Sequence, residues 1–130
     1  MRRKPKILVI DDEYEICEFT KAMLEKTNKF DAITTANAAE GIALAKTQHP
    51  DLILLDVAMP DMDGPQVAEA IRQDPRTKDI PIVFLTGLTN KKELDNNNGI
   101  IGGNFFIAKP TDNKELVARI ESILQEAKQQ

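Results

Sequence analysis

Five short segments, rich in apolar residues and spaced along the whole chain, constrain its fold more than any other feature. Three of them are continuously apolar, which is typical of strands buried on both faces of a parallel sheet. The first is also apolar, and the second is more polar. We therefore predict five strands, at residues 6–10, 30–35, 52–55, 82–85 and 105–108.

Helical periodicity follows each predicted strand. In the first helix Phe19 and Met23 fall on one face together with Ile16 and Leu24, and we expect that face to be buried. The fourth helix, at residues 90–97, is short and polar. The last carries the clearest apolar stripe, formed by Leu116, Ile120, Ile123 and Leu124.

Capping and breaking residues set the helix ends. Asn37 with Glu40 predicts a capping box at the start of the second helix. The third helix is expected to begin at the Gly64-Pro65 pair and to stop at Asp74, because Pro75 cannot continue it.

Strands that alternate with helices predict a doubly wound α/β fold. The 130 residues suit one domain of ordinary size, and a hydrophobic fraction of 42% is enough for a core. We therefore predict a single domain over residues 1–130. In such folds ligands bind beyond the carboxyl ends of the strands, so we look for chemistry at that edge.

The net charge and the first residues of the chain limit the class of protein and the location that we expect. A net charge of -4 argues against a general nucleic-acid binder, which needs a basic face. The basic start is followed by an apolar run that ends at Ile10, too short for a signal peptide or a membrane span. We expect a cytoplasmic protein that contacts other proteins, with Cys17 as a buried free thiol.

Polar side chains end four of the five predicted strands. Asp11 and Asp12 follow the first, Asp56 ends the third, Thr86 the fourth and Lys109 the fifth. Three carboxylates at one edge repel one another unless a cation lies among them. Lys109 is one candidate for that cation, and a divalent ion with hard oxygen ligands, Mg²⁺, is the other.

A carboxylate in such a place can act as a nucleophile on phosphorus. Asp56 is the best candidate because it ends the most apolar strand and is therefore held by a rigid element. Asp11 and Asp12 are better interpreted as metal ligands. Lys109 and Thr86 would supply the positive charge and the hydroxyl that phosphoryl transfer requires around the phosphate oxygens.

The order and spacing of these residues resemble the receiver domain of two-component response regulators. The resemblance covers about residues 6–126. It implies a flavodoxin-like sheet with strand order 2-1-3-4-5. The motifs that carry it are Asp11-Asp12, Asp56 with the Met-Pro-Asp-Met-Asp-Gly segment at 59–64, Thr86-Gly87 and Lys109-Pro110.

The resemblance also implies roles at the metal site. Asp56 is similar to the phosphoacceptor, and Asp12 to the more direct Mg²⁺ ligand. Asp11 would act largely through water, while Asp56 and the backbone carbonyl of Ala58 would complete the ligand set. Such a domain receives its phosphoryl group from a histidine kinase or a histidine phosphotransfer protein. It signals to a downstream effector protein and catalyses only its own phosphotransfer and dephosphorylation.

The resemblance implies roles for three further residues, one that pairs with the phosphate and two that act as a switch. Lys109 would pair with the phosphate, Thr86 would be the switch hydroxyl, and Phe106 occupies the aromatic switch position. Tyrosine is common at that position, so the hydroxyl of an aromatic switch is missing from Phe106.

Three other interpretations fit parts of the pattern. A phosphatase of the haloacid dehalogenase type would need an acidic residue where Ala58 stands. A flavin phosphate would be repelled by the acidic residues after the first strand. A receiver that only mediates contacts would not need the five side chains at the strand ends, those of Asp11, Asp12, Asp56, Thr86 and Lys109. We expect a free-standing receiver, with a receiver cut from a longer regulator as the alternative.

Overall fold

A computed structural model describes residues 3–86, 100–101, 104–108 and 113–128. Six strands are present in these ranges: β1 (Lys6–Ile10), β2 (Asp31–Thr35), β3 (Leu52–Asp56), β4 (Ile82–Thr86), β5 (Ile100–Ile101) and β6 (Asn104–Ala108). The helices are α1 (Tyr14–Lys26), α2 (Ala38–Gln48), α3 (Gly64–Gln73) and α4 (Asn113–Lys128). The helix expected at residues 90–97 lies outside the described residues.

The sheet confirms the predicted α/β topology. Its strand order is β2-β1-β3-β4-β6-β5, and the five predicted strands run parallel in the predicted order. The short β5 was not predicted. It pairs with β6 in an antiparallel arrangement, with Ile100 opposite Phe105 and Ile101 opposite Asn104. A two-residue strand has no periodicity that a sequence pattern could reveal.

Apolar side chains fill the space on both faces of the sheet. Along β1, Ile7 and Val9 belong to the core beneath α1 and α4, whereas Leu8 and Ile10 belong to the core beneath α2 and α3. The strand must supply both cores because successive side chains point to opposite faces. The predicted stripe of the last helix is buried: Leu116, Ile120, Ile123 and Leu124.

The expectation for Phe19 was wrong. This side chain is 65% exposed, although Met23 and Leu24 are buried as predicted. The buried face of α1 is rotated toward Cys17 and Thr20, so the apolar residue at position 19 falls outside it. Cys17 is buried as expected, and its thiol donates to the backbone oxygen of Asp11 at 3.2 Å.

Side chains cap the starts of two helices, one at the predicted residue Asn37 and one at Asp63, which was not predicted as a cap. The Asn37 side chain accepts from the Glu40 N–H at 2.8 Å at the start of α2. A reciprocal capping box forms at α3, where Asp63 and Gln66 each accept from the backbone N–H of the other.

No helix among the described residues is long and apolar enough to cross a membrane.

Candidate functional site

The carboxyl ends of β1, β3 and β4 bring three of the predicted site residues to one edge of the sheet. Asp11 directly follows β1, Asp56 is the last residue of β3, and Thr86 is the last residue of β4. In the parallel register Asp56 is opposite Leu85, so Thr86 lies one residue further along the neighbouring strand. Asp11, Asp56 and Thr86 are all buried, whereas Asp12 is exposed.

Three carboxylates meet at this edge as the sequence predicted. One oxygen from each of Asp11, Asp12 and Asp56 lies within 4.8 Å of the others. Hard oxygen donors at this spacing fit a small divalent cation such as Mg²⁺, which takes carboxylate ligands and keeps several waters. Two of the three carboxylates are buried, so their mutual repulsion is poorly screened by solvent and favours a bound cation.

Backbone contacts hold Asp11 on several sides. Its carboxylate oxygen Oδ1 accepts from the N–H of Glu13 at 3.0 Å, and its own N–H donates to the carbonyl of Thr35 at 3.2 Å. The Cys17 thiol donates a hydrogen bond to the carbonyl oxygen of Asp11. The contact between Cys17 and the site could not be predicted from the sequence, because it forms only when α1 packs against the end of β1.

The loop after Asp56 is closed by the start of α3. The N–H of Gly64 donates to the carbonyl of Val57 at 2.8 Å, and the N–H of Val57 donates to Leu85 at 3.1 Å. These two bonds tie the loop to β4 and to α3. Ala58, expected to offer a backbone carbonyl to a metal, lies in this loop and is exposed.

A sequence profile described as "Response regulator receiver domain" matches residues 7–121. The chain belongs to this family. The match favours a receiver over the phosphatase and the flavin-binding module that the sequence pattern also allowed.

Curated relatives of this receiver include two longer regulators. It is 36% identical over 121 residues to the DNA-binding dual master transcriptional regulator RpaA of Synechocystis sp., covering 92% of this chain and 49% of the relative. It is 37% identical over 120 residues to the alkaline phosphatase synthesis transcriptional regulatory protein PhoP of Bacillus subtilis, covering 92% and 48%. The chain thus spans about half the length of the curated relatives it matches.

Solved structures of receivers share the fold over nearly their whole length. The chemotaxis protein CheY4 of Vibrio cholerae has a TM-score of 0.78 at 26% identity, with 92% of this chain and 98% of that chain covered. The N-terminal domain of a response regulator receiver protein from Methanoculleus marisnigri has a TM-score of 0.67 at 35% identity, with 92% and 95% covered.

The two residues expected to act as the switch, Thr86 and Phe106, lie on neighbouring strands. Phe106 of β6 is half-buried and stacks on Phe84 of β4, with ring centroids 5.2 Å apart and an angle of 26° between the rings. Thr86 lies two residues beyond Phe84 on the same strand. Lys109, expected to pair with the phosphate, lies outside the described residues.

Proposed function

We propose that Asp56 accepts a phosphoryl group from a histidine kinase or a histidine phosphotransfer protein, with Mg²⁺ at the adjacent acidic cluster. The observation that carries this proposal is the position of Asp56. Asp56 ends a buried strand and is 7% exposed, and one of its carboxylate oxygens lies within 4.8 Å of an oxygen of Asp11 and of Asp12. A nucleophile held this way needs no reorganisation before it attacks.

The transfer is a displacement at phosphorus. A carboxylate oxygen of Asp56 forms the new P–O bond, while the P–N bond to the donor imidazole breaks and its electron pair stays on that ring. A divalent cation held by Asp11, Asp12, Asp56 and the carbonyl of Ala58 would neutralise charge on the phosphate oxygens. The Glu13 N–H donates to Oδ1 of Asp11 at 3.0 Å and helps to hold this carboxylate beside the cluster.

The remaining groups stabilise the phosphorylated state. Thr86, on the strand next to Asp56, donates its hydroxyl to a phosphate oxygen, and Lys109 pairs with the phosphate charge. The chain acts as one receiver unit over residues 1–130, in the cytoplasm, and turns over no substrate apart from its own phosphoryl group.

The output is a phosphorylation-dependent contact with an effector. RpaA and PhoP are named as transcriptional regulators, and this chain matches about half of each. We place direct DNA contact outside this domain because its net charge is -4. The effector is therefore a protein surface, in the same polypeptide or in another one.

Phosphorylation with a small donor tests the proposal. The chain is incubated with acetyl phosphate and Mg²⁺ and then measured by intact-protein mass spectrometry. We expect one labile phosphoryl group on the wild type and on the Asp61→Asn control, which changes an exposed aspartate in the adjacent loop. Asp56→Asn should not be labelled. Equal labelling of Asp56→Asn and wild type would show that Asp56 is not the acceptor.

A further inference from the structure

The turn between β1 and α1 carries Asp11 and Asp12, two of the three carboxylates in the acidic cluster. The helix begins directly after Glu13, its N-cap residue. The Glu13 side chain makes no capping hydrogen bond, unlike those of Asn37 and Asp63 at the starts of α2 and α3. The cap residue of α1 therefore does not use its side chain to hold the turn against the helix.

Cys17, near the start of α1, makes a side-chain contact with this turn. Its backbone N–H donates to the carbonyl of Glu13 at 3.1 Å, as the first bonds of a helix do. Its thiol reaches further back and donates to the carbonyl of Asp11 at 3.2 Å and to that of Thr35 at 3.6 Å. Cys17 is 2% exposed, so water does not compete for these contacts.

Thr35 connects these contacts to the end of β2. Its carbonyl accepts from the N–H of Asp11 at 3.2 Å as well as from the Cys17 thiol. Its hydroxyl oxygen accepts from the N–H of Asn37 at 3.1 Å, just before α2. The backbone of Asp11 is therefore held between the ends of two strands and the first turns of a helix, and the buried thiol contacts all three.

We propose that Cys17 is a positioning residue for the metal site. By holding the carbonyl of Asp11, the thiol fixes the backbone of the turn from which the Asp11 and Asp12 carboxylates extend. Contacts outside the ligand set orient metal ligands and raise the affinity for the ion. The inference rests on the proposed function, because it requires that the acidic cluster binds Mg²⁺.

The charge of the cluster explains why the turn needs such a contact. Oxygens of Asp11, Asp12 and Asp56 lie within 4.8 Å of one another, and like charges at this distance repel. Asp56 belongs to a strand, whereas Asp12 stands in the turn. Mg²⁺ demands near-ideal octahedral geometry, so a turn that moves away under this repulsion binds the ion less tightly. The Cys17 thiol resists that movement because α1 holds it in the core.

Calorimetric titration with Mg²⁺ separates positioning from packing in the core. Cys17→Ala removes the hydrogen-bond donor and should fold, because alanine is small and favoured inside a helix. We expect its dissociation constant for Mg²⁺ to rise about tenfold. Cys17→Ser keeps a donor and should bind Mg²⁺ more tightly than Cys17→Ala. Loss of packing alone would lower the free energy of unfolding and leave the affinity for Mg²⁺ unchanged.

The matched control is Thr77→Val, which also removes a buried donor to a backbone carbonyl. Thr77 is 1% exposed, and its hydroxyl donates to the carbonyl of Ile71 at 2.6 Å. It lies between α3 and the start of β4, at the opposite edge of the sheet from the acidic cluster. This variant should lose stability toward urea and bind Mg²⁺ like the wild type.

Three results of the titration would overturn the inference while leaving the proposed function in place. They are wild-type affinity in Cys17→Ala, affinity in Cys17→Ser no higher than in Cys17→Ala, and an equal loss of affinity in Thr77→Val. A wild type that binds no Mg²⁺ would overturn the metal site of the proposed function and this inference together.

Discussion

Gly64 packs directly against the backbone of Asp56. A side-chain carbon at position 64 would lie 2.6 Å from the carbonyl oxygen of Asp56 and 2.9 Å from the Cα of Val57. Both are backbone atoms, so neither can rotate away. The first residue of α3 therefore has to be glycine for the loop after Asp56 to close as it does.

Gly64→Ala tests this packing. The added methyl group should push the loop off Asp56 and lower the free energy of unfolding by about 1–3 kcal/mol, as overpacking does elsewhere. Urea unfolding measures the loss. Gly41→Ala is the comparison: its added carbon would lie 2.6 Å from Cδ1 of Ile10, which is the end of a side chain and not backbone, and alanine is favoured inside a helix, so it should cost less stability. A Gly64→Ala protein as stable as Gly41→Ala would contradict the argument.

Mg²⁺ should stabilise this receiver by binding the folded state. The gain follows mass action and reaches about 2.7 kcal/mol when the ion is at a hundred times its dissociation constant. Asp12→Ala should raise the melting temperature without metal, because it removes one of three neighbouring carboxylates, and should abolish the metal response. Thermal unfolding with Mg²⁺ and with a chelator measures both effects.

The control for that experiment is Asp61→Ala, a change at an exposed aspartate of the loop that should leave the metal response intact. An Asp12→Ala protein that gains as much stability from Mg²⁺ as the wild type would show that the acidic cluster is not the metal site.

Thr86 should transmit phosphorylation to the Phe84–Phe106 stack. Thr86 lies two residues beyond Phe84, on the same face of β4. We expect movement of its hydroxyl toward the phosphate to free space into which Phe106, 5.2 Å from Phe84, can rotate. Thr86→Ala should still be phosphorylated yet lose most of the ring response, because the phosphoryl group no longer favours one of two states. Thr86→Ser keeps the hydroxyl and should keep the response.

The aromatic NMR shifts of Phe84 and Phe106, followed upon addition of a phosphoryl mimic, measure this coupling. If Thr86→Ala shows the same shift changes as the wild type, the rings move independently of Thr86.

Asp74 should make stability depend on acid pH. Hydrogen bonds from the Arg76 side chain and backbone hold the pKa of the Asp74 carboxyl far below its usual range, and Lys46 adds to the effect at 3.6 Å. Because the pKa of Asp74 is lower in the folded state, the ionised carboxylate stabilises the fold at pH values above the unfolded-state pKa of about 3.9. This stabilisation is lost as the pH falls through the folded-state pKa.

Asp74→Asn should therefore be less stable than the wild type at neutral pH, and the difference should narrow progressively below about pH 4. Chemical unfolding measured from about pH 7 down to about pH 2 would show this narrowing. Asp79→Asn, at a nearby exposed aspartate, should track the wild type. A pH-independent difference for Asp74→Asn would mean that the variant acts through something other than charge.

Much of the site could be predicted because its residues are held by the most regular part of the chain. Apolar runs identified the parallel strands, and the end of each strand located Asp11, Asp56 and Thr86 at one edge. Parallel strands share that edge whatever the details of side-chain packing, so convergence of the carboxylates followed from topology alone. The spacing of those residues also identified the family before any contact was known.

Features that depend on how elements pack against one another could not be predicted in this way. The rotation of α1 buried Cys17 and left Phe19 exposed, although both positions read as apolar, because the sheet accepts only one face of the helix. Turns bring Arg76 to Asp74 and Gly64 to the backbone of Asp56. The conformation of these turns, and therefore these contacts, could not be predicted from residue type alone. Sequence by itself determined the five parallel strands and what chemistry their ends carry, since periodicity and residue type are local properties. Tertiary structure alone decided which helix face is buried and which atoms touch, because these depend on distances between segments far apart in the chain.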